Sequence, residues 1–340
     1  MSEALPLVDE IEMRSVFAYL EGRGVSTQDL LAQAQLPSLR FEEKGHFVSI
    51  RSALRFFALA AQETQNPTLG WSSTSSAPVT RIGSWGPSVA RSSTLRDSIR
   101  IFGDAYSRSV NFIDVGLSIE RGQAWFWRRR KLRSKDPAGE EQGEQFTMGM
   151  MVRIIQRAAG ESWTPSAIRL DSASPDWLLR TPELQGASVS LNHDALAISI
   201  PLELLDRKLP RIAGPISEVG APHRDATAPS DFIGSIETVL SSVLPHQSVP
   251  LEFGAEIVGT STRTLRRMLE KEGTSWRQIV DGVRFQRSVE LLLNSDRPIA
   301  DVASELGYSD AAHFTRAFRR WTQESPSEYR RRRVEGGTNA

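Results

Sequence analysis

Near its carboxyl end the chain repeats one structural phrase. The segments LEFGAEIVGTSTRTLRRMLEKEG, from Leu251 to Gly273, and PIADVASELGYSDAAHFTRAFRRWTQESP, from Pro298 to Pro326, share a skeleton. Ala255 precedes Gly259 by four positions, Ala303 precedes Gly307 by four, and a serine, Ser261 or Ser309, follows each glycine two residues on. After the turn the second copy has one extra residue, beyond which Leu265, Arg267 and Leu269 line up with Phe314, Arg316 and Phe318. A small residue inside the first helix lets the second cross it closely, and glycine supplies the backbone freedom of a sharp helix reversal. Either glycine alone reads equally well as an ordinary helix end. Twice in the same order, with a basic helix after each turn, the pattern points to tandem helix-turn-helix units.

Between the copies lies SWRQIVDGVRFQRSVELLLNS, Ser275 to Ser295, which places Ile279, Val283, Val289, Leu291, Leu292 and Leu293 on a helix-like apolar face. At about 1.5 Å per residue this helix is roughly 30 Å long. Successive major grooves on one face of B-DNA lie roughly 34 Å apart, so such a spacer can hold two basic helices in adjacent grooves. A generic core helix predicts the same stripe but gives no reason for a basic helix on each side.

The segment RPIADVASELGYSDAAHFTRAFRRWTQESPSEYR, Arg297 to Arg330, resembles in nearly every position the signature of the AraC/XylS family of bacterial transcription regulators. The first unit, with STRTLRRMLEKEGTSWRQIVDGVR, resembles the branch in which an amino-terminal arabinose-binding-type domain precedes the tandem reader. The match covers residues 250 to 331 closely and residues 20 to 210 more loosely. It implies a sequence-specific DNA-binding regulator, with activation as the family's usual mode and RNA polymerase as a partner. It also implies an amino-terminal domain that binds a small-molecule effector or forms a homodimer. The family's label of arabinose binding is no evidence for a sugar here.

Charge alone does not find this function, because 41 Lys and Arg cancel 41 Asp and Glu. The cations are placed locally, at Arg263, Arg266, Arg267 and Lys271, at Arg316, Arg319 and Arg320, and at Arg330 to Arg333. A charge run is usually a solvated face. On a helix in the major groove, however, residues near the N-terminus face base edges, and flanking hydroxyls and cations meet phosphates. Carried over by position, the resemblance puts Ser261, Thr262, Arg263, Arg266 and Arg267 at the DNA, with Arg263 and Arg266 reading bases. Arg267 is shared between phosphate and an intramolecular pair. In the second unit Ser309, Ala311, Ala312, His313, Arg316 and Arg319 take the equivalent surface, beside Asp310. The small Ala311 and Ala312 suit thymine methyls or close approach, so the first unit is expected to supply most of the discrimination. His313 is open between a structural role and a phosphate or base contact. Phe314, Phe318 and Trp321 have core spacing, Trp276 is expected in the core, and Pro326 suits the first turn of a closing helix.

The expected architecture is therefore two domains: an α+β regulatory domain over 1–210 and an all-α domain with tandem helix-turn-helix over 232–333. A linker over 211–231 joins them and a tail covers 334–340. Residues 210–231 carry four prolines and no sustained apolar period, and Phe232 to Leu244 then restores a helical stripe. Upstream, helices are expected at 11–21, 27–36, 49–65, 93–108 and 144–160. Strands are expected at 79–89, 110–119, 122–131, 166–172, 187–192 and 195–200, with Gly122 as a hairpin turn, in a mixed sheet with helices on one face.

An enzyme carrying a DNA-binding tail is the competing class, and a constitutive regulator whose amino-terminal domain only dimerises is a third. The sequence has no cysteine, which removes thiol nucleophiles and thiolate metal sites. His46, His193, His223, His246 and His313 are scattered without ligand spacing, and no HExxH, GxxxxGK[ST] or GxSxG motif is present. No catalytic residue, metal or cofactor is expected. Glu140 and Glu141 fall in the polar run RSKDPAGEEQGE, read as a solvated loop. Trp85, Trp125 and Trp127 read as core before they read as a pocket wall, and Arg128, Arg129 and Arg130 as a solvated strand end before an anion site. With no apolar run of about 20 residues and no secretory pattern at the start, a cytoplasmic protein with no membrane contact is expected.

Overall fold

The computed structural model describes residues 3–37, 46–75, 77–132, 136–172, 176–210, 227–244 and 249–337, with side chains to residue 332. The stretch 211–226, most of the expected linker, lies outside the described residues, as do His223 and His246. The chain divides into two compact units, Pro6–Ala228 and Met1–Leu5 with Pro229–Ala340. The opening segment joins the carboxy-terminal unit because Glu3 forms a β-bridge with Asp231 and the Leu5 N–H donates to Ser235 Oγ at 3.2 Å.

The larger unit is α+β. Strand β1 (Leu7–Asp9) leads through a 3-10 turn, capped by the Asp9 carboxylate, into α1 (Arg14–Glu21) and α2 (Gln28–Ala34). Then come β2 (Phe47–Ser49), paired antiparallel with β1, and helices α3 (Ile50–Glu63), α4 (Leu69–Ser75), α5 (Gly86–Ala90) and α6 (Leu95–Ser109). A five-stranded sheet follows, from β3 (Ile113–Glu120), β4 (Gln123–Arg130), β5 (Ala167–Arg169), β6 (Ser188–Ser190) and β7 (Leu196–Ile200), in the order β3-β4-β7-β5-β6. All its pairings are antiparallel except β5 with β6, so the sheet is mixed as expected. The β3–β4 hairpin turns at Arg121 and Gly122, both at positive φ, the backbone demanded by a tight two-residue turn. Helix α7 (Pro137–Ala159) lies between β4 and β5 in the chain, and α8 (Asp176–Leu179) and α9 (Leu202–Leu205) flank the last strands. One core unites Phe102 and Tyr106 of α6, Phe126 of β4, Ile198 of β7 and Met150 and Ile154 of α7.

Several expectations are corrected here. Residues 79–89 are not a strand. Val79, Ile82, Trp85 and Val89 are buried at intervals of three and four, a helical period, and they form a 3-10 turn at Val79–Arg81 followed by α5, with Pro87 in its first turn. Helix α7 begins seven residues before the expected 144, because Asp136 caps it by accepting the Gly139 N–H at 3.1 Å and Pro137 suits its first turn. The run around Glu140 is thus no solvated loop, and Gln142, Glu144 and Gln145 are buried. Nor are all three arginines of β4 solvated. Arg128 is 2% exposed and lies 3.8 Å from Asp171, while Arg130 pairs with Asp171 at 2.8 Å and Glu140 at 2.9 Å. Strand alternation turns only Arg129 outward, to Asp194 at 2.7 Å. Trp85 is fully buried and donates its indole N–H to the equally buried Glu12, a core residue as expected.

The second unit is helical: α10 (Phe232–Val243), α11 (Leu251–Val258), α12 (Thr262–Lys271), α13 (Trp276–Asn294), α14 (Ile299–Glu305), α15 (Ala311–Thr322) and α16 (Pro326–Gly337). Asp231, Ser261, Ser275 and Asp310 cap α10, α12, α13 and α15 through side-chain oxygens. On α13, Ile279, Val283, Leu291 and Leu292 are buried as the stripe requires; Leu293, one position off that stripe, is 41% exposed and leaves the expected face.

Candidate nucleic-acid interface

Two helix pairs, α11–α12 and α14–α15, carry the residues singled out in the sequence. Each first helix ends on its glycine in the left-handed region, Gly259 at φ 76° and Gly307 at φ 73°. The following N–H closes the turn, Thr260 onto the Ala255 carbonyl at 2.9 Å and Tyr308 onto the Ala303 carbonyl at 3.0 Å. The two pairs are thus stopped and reversed by the same bonds. Ala255 is buried, and its neighbour Gly254 admits the ring of Trp276 from α13. A Cβ at Gly254 would lie 2.5 Å from the Trp276 ring, whose N–H donates to the Val249 carbonyl at 2.9 Å.

Amphipathicity decides which face of each second helix is free. On α12, Leu265 and Leu269 are buried, and Arg263, Arg266, Arg267 and Lys271 are exposed. Ser261 Oγ accepts the Thr264 N–H at 3.2 Å, Thr262 is half-buried beside it, and the Thr264 hydroxyl lies 3.0 Å from Ser261 Oγ. Thr264 joins this polar N-terminal edge although the sequence reading passed over it; the serine-threonine spacing of three is the signal that marks it. Arg267 forms no ion pair among the described residues, so the intramolecular partner expected for it is not found.

On α15 the buried side is Phe314, Ala317 and Phe318, of which the two phenylalanines join Leu291, Leu292, Val302, Leu306 and Tyr329 in one cluster. Ala312, His313, Arg316, Arg319 and Arg320 are exposed and Ala311 is half-buried. The extra residue of the second copy falls before the cap. Asp310, not Ser309, accepts the His313 N–H, at 2.7 Å, and so takes the structural place of Ser261. Registered on their caps, Arg263 corresponds to Ala312, Arg266 to Thr315 and Arg267 to Arg316. Ser309 instead lies 2.8 Å from His313 Nδ1, which is also 2.9 Å from Asp310 Oδ2. The backbone N–H of His313, with the neighbouring imidazole and the Ser309 hydroxyl, holds the Asp310 carboxyl below its ordinary range.

The remaining arginines divide sharply. Arg287 pairs with Glu290 and Glu305, Arg297 with Glu305, Arg320 with Asp281 at 3.0 Å and Arg332 with Glu324 at 3.2 Å. Arg330 donates to the Leu292 carbonyl at 3.1 Å, tying α16 to α13. Arg263, Arg266, Arg267, Arg316 and Arg319 form no ion pair among the described residues, although they stand on the two exposed helix faces. Without an ion-pair partner, these guanidinium groups are available to phosphates and base edges, although Arg319 also helps hold the Glu328 carboxyl below its ordinary range. Among the described residues no group of His, Asp and Glu is arranged to hold a metal, and no helix is long and apolar enough to cross a membrane.

Two family models match the chain. A helix-turn-helix domain covers residues 255–332, and the N-terminal arabinose-binding domain of AraC transcription regulators covers residues 24–209, more than half of the chain. The HTH-type transcriptional regulator VqsM of Pseudomonas aeruginosa is 45% identical over 95 residues, 28% of this chain and 29% of that protein. The transcriptional activator NphR of Rhodococcus sp is 30% identical over 186 residues, 55% of this chain and 51% of that protein. The chain therefore spans between about a third and about half of the length of these two curated relatives. The crystal structure of the transcriptional regulator CdpR from Pseudomonas aeruginosa aligns with 94% of this chain and 98% of its own, at 18% identity and a TM-score of 0.43.

Proposed function

The chain belongs to the AraC family of DNA-binding transcription regulators, and from that premise we propose that it grips two consecutive major grooves of duplex DNA, with α12 in one and α15 in the next, and activates transcription together with RNA polymerase. The observation that carries this reading is the division of the arginines. Arg263, Arg266 and Arg267 of α12 and Arg316 and Arg319 of α15 form no ion pair among the described residues, whereas Arg287, Arg297, Arg320 and Arg332 are held in ion pairs. At 19 residues, α13 is about 28 Å long, which fits a spacer between adjacent grooves.

In this reading Arg263 and Arg266 reach base edges and Arg267, Arg316 and Arg319 reach phosphates, with Ser261, Thr262, Ser309 and His313 flanking them. Ala311 and Ala312 permit close approach, so α12 supplies most of the sequence discrimination. The unit Pro6–Ala228 senses a small molecule or dimerises and thereby biases DNA binding, and the protein acts in the cytoplasm. That the matched relatives are named as transcription regulators favours this over an enzyme with a DNA-binding tail. Hydroxyl-radical footprinting on selected genomic fragments tests it. Two protected stretches one helical turn apart are expected, and a single short stretch contradicts the two-groove grip.

A further inference from the structure

We propose that a cleft in the amino-terminal unit is the effector site and that its ligand is a small organic oxyanion, a carboxylate or a phosphate ester. The inference rests on the effector-sensing reading above and gives it a place and a chemistry. The cleft encloses about 340 Å³, within the usual range of small-molecule sites of roughly 300 to 1,000 Å³. Its walls come from Tyr19 of α1, Arg23 just beyond, Trp71 of α4 and the segment Arg180 to Glu183.

The chemistry of the walls is lopsided. Arg23 lies over the Tyr19 ring, 3.6 Å from its centroid, and neither Arg23 nor Arg180 is in an ion pair among the described residues, although the Arg180 charge acts on the Glu141 carboxyl. Trp71 is 5% exposed and gives the wall an aromatic ring. Tyr19 Oη accepts from Asn66 Nδ2 at 2.8 Å, so its own proton is directed elsewhere. The charged donors of the lining are thus two guanidinium forks, set beside the Tyr19 phenol and the hydroxyls of Thr68, Ser72 and Ser75. Glu183 is the one carboxylate of the lining. An oxyanion pairs its charge with both forks, which a neutral polyol cannot do.

The site is also built in advance. Asn66 accepts from the Thr68 N–H and hydroxyl, both at 3.0 Å, while holding Tyr19. The loop beneath is stapled to α7, because Gln142 and Gln145 both donate to the Pro67 carbonyl, at 2.9 and 3.0 Å. Such fixed donors lower the ordering cost of binding.

The test uses the full chain, with thermal shift, calorimetry and operator binding measured against citrate, benzoate, L-glutamate and glucose 6-phosphate, and against L-arabinose as the neutral probe. At least one anion is expected to raise the melting temperature and alter operator affinity. Arg180→Gln should weaken its Kd about tenfold, and Arg23→Gln with Arg180→Gln more so. Both side chains are exposed, so melting and ligand-free operator binding should match the wild type. Carboxylate and phosphate arms show which oxyanion is preferred. If an anion alters operator binding equally in wild type and double variant, the cleft is wrong and effector sensing survives. If L-arabinose acts and no anion does, the oxyanion assignment fails. If nothing in the panel shifts either readout, the assignment is overturned; a screen of unrelated metabolites that also leaves operator binding unchanged removes effector sensing itself.

Discussion

Arg263→Ala separates recognition from folding on a single helix. The side chain is exposed and has no ion pair, so its removal should change stability by no more than about 0.5 kcal/mol. If it reads a guanine through O6 and N7, the variant loses about 1 to 3 kcal/mol against the preferred operator, roughly a 5- to 150-fold rise in Kd. The loss should concentrate at one base pair. On duplexes substituted at that pair, wild type and variant should bind alike, and the slope of log affinity against log salt should change little. A phosphate contact behaves differently, weakening all duplexes together and lowering the slope by about 0.9. Leu265→Ala, two residues on but fully buried, is the control and should cost about 2 to 5 kcal/mol of stability. Fluorescence anisotropy over a salt series, with thermal melts, reads all of these. If Arg263→Ala binds its operator unchanged, or weakens every duplex equally, Arg263 is not a base reader.

Three further outcomes are expected. Arg331→Ala removes an exposed cation of α16 and should weaken binding modestly across sequences, with a salt slope smaller by about 1; an altered base preference would contradict it. Gly254→Ala should destabilise the carboxy-terminal unit by about 1 to 3 kcal/mol, since its Cβ would meet the Trp276 ring at 2.5 Å, and a melt equal to wild type would show that the ring can give way. Burial, against the Ile11 N–H and with the Glu12 charge adding to it, raises the Asp9 carboxyl from 3.8 to about 7. Its folded value lies above the unfolded one, so its contribution is fully present below about pH 4 and lost as pH rises through 7. Asp9→Asn keeps an oxygen for the cap and should melt above wild type at pH 8, by an equivalent of up to roughly 4 kcal/mol, with the gap narrowing as pH falls below about 7 and gone below about 4. A gap independent of pH would refute the assignment.

The two helix pairs of the carboxy-terminal unit could be read directly from residue order, because everything that specifies them is local. A glycine in the left-handed region, a cap within three residues of its acceptor and an apolar period of three to four all act inside one or two turns of chain. The exposed arginines followed from the same period. The register of the second helices was legible too, because the one extra residue of the second copy was visible; what residue order did not give was the cap, which Asp310 takes by accepting the His313 N–H.

The amino-terminal unit was less legible. Its hairpin at Gly122 is local and was found, whereas β1 and β2, three residues each, are strands only because they meet each other across the chain. Arg128 and Arg130 look like a polar strand end until Asp171, Glu140 and Glu144 are brought to them from α7 and beyond β5. The cleft is of the same kind, since Tyr19, Trp71 and Arg180 are far apart in sequence and carry no shared motif. Periodicity and capping are free energies of neighbouring residues and survive in a one-dimensional pattern. Burial of a charge, and the meeting of donors around a cavity, depend on which distant segments pack together, and that was decided only when the chain folded.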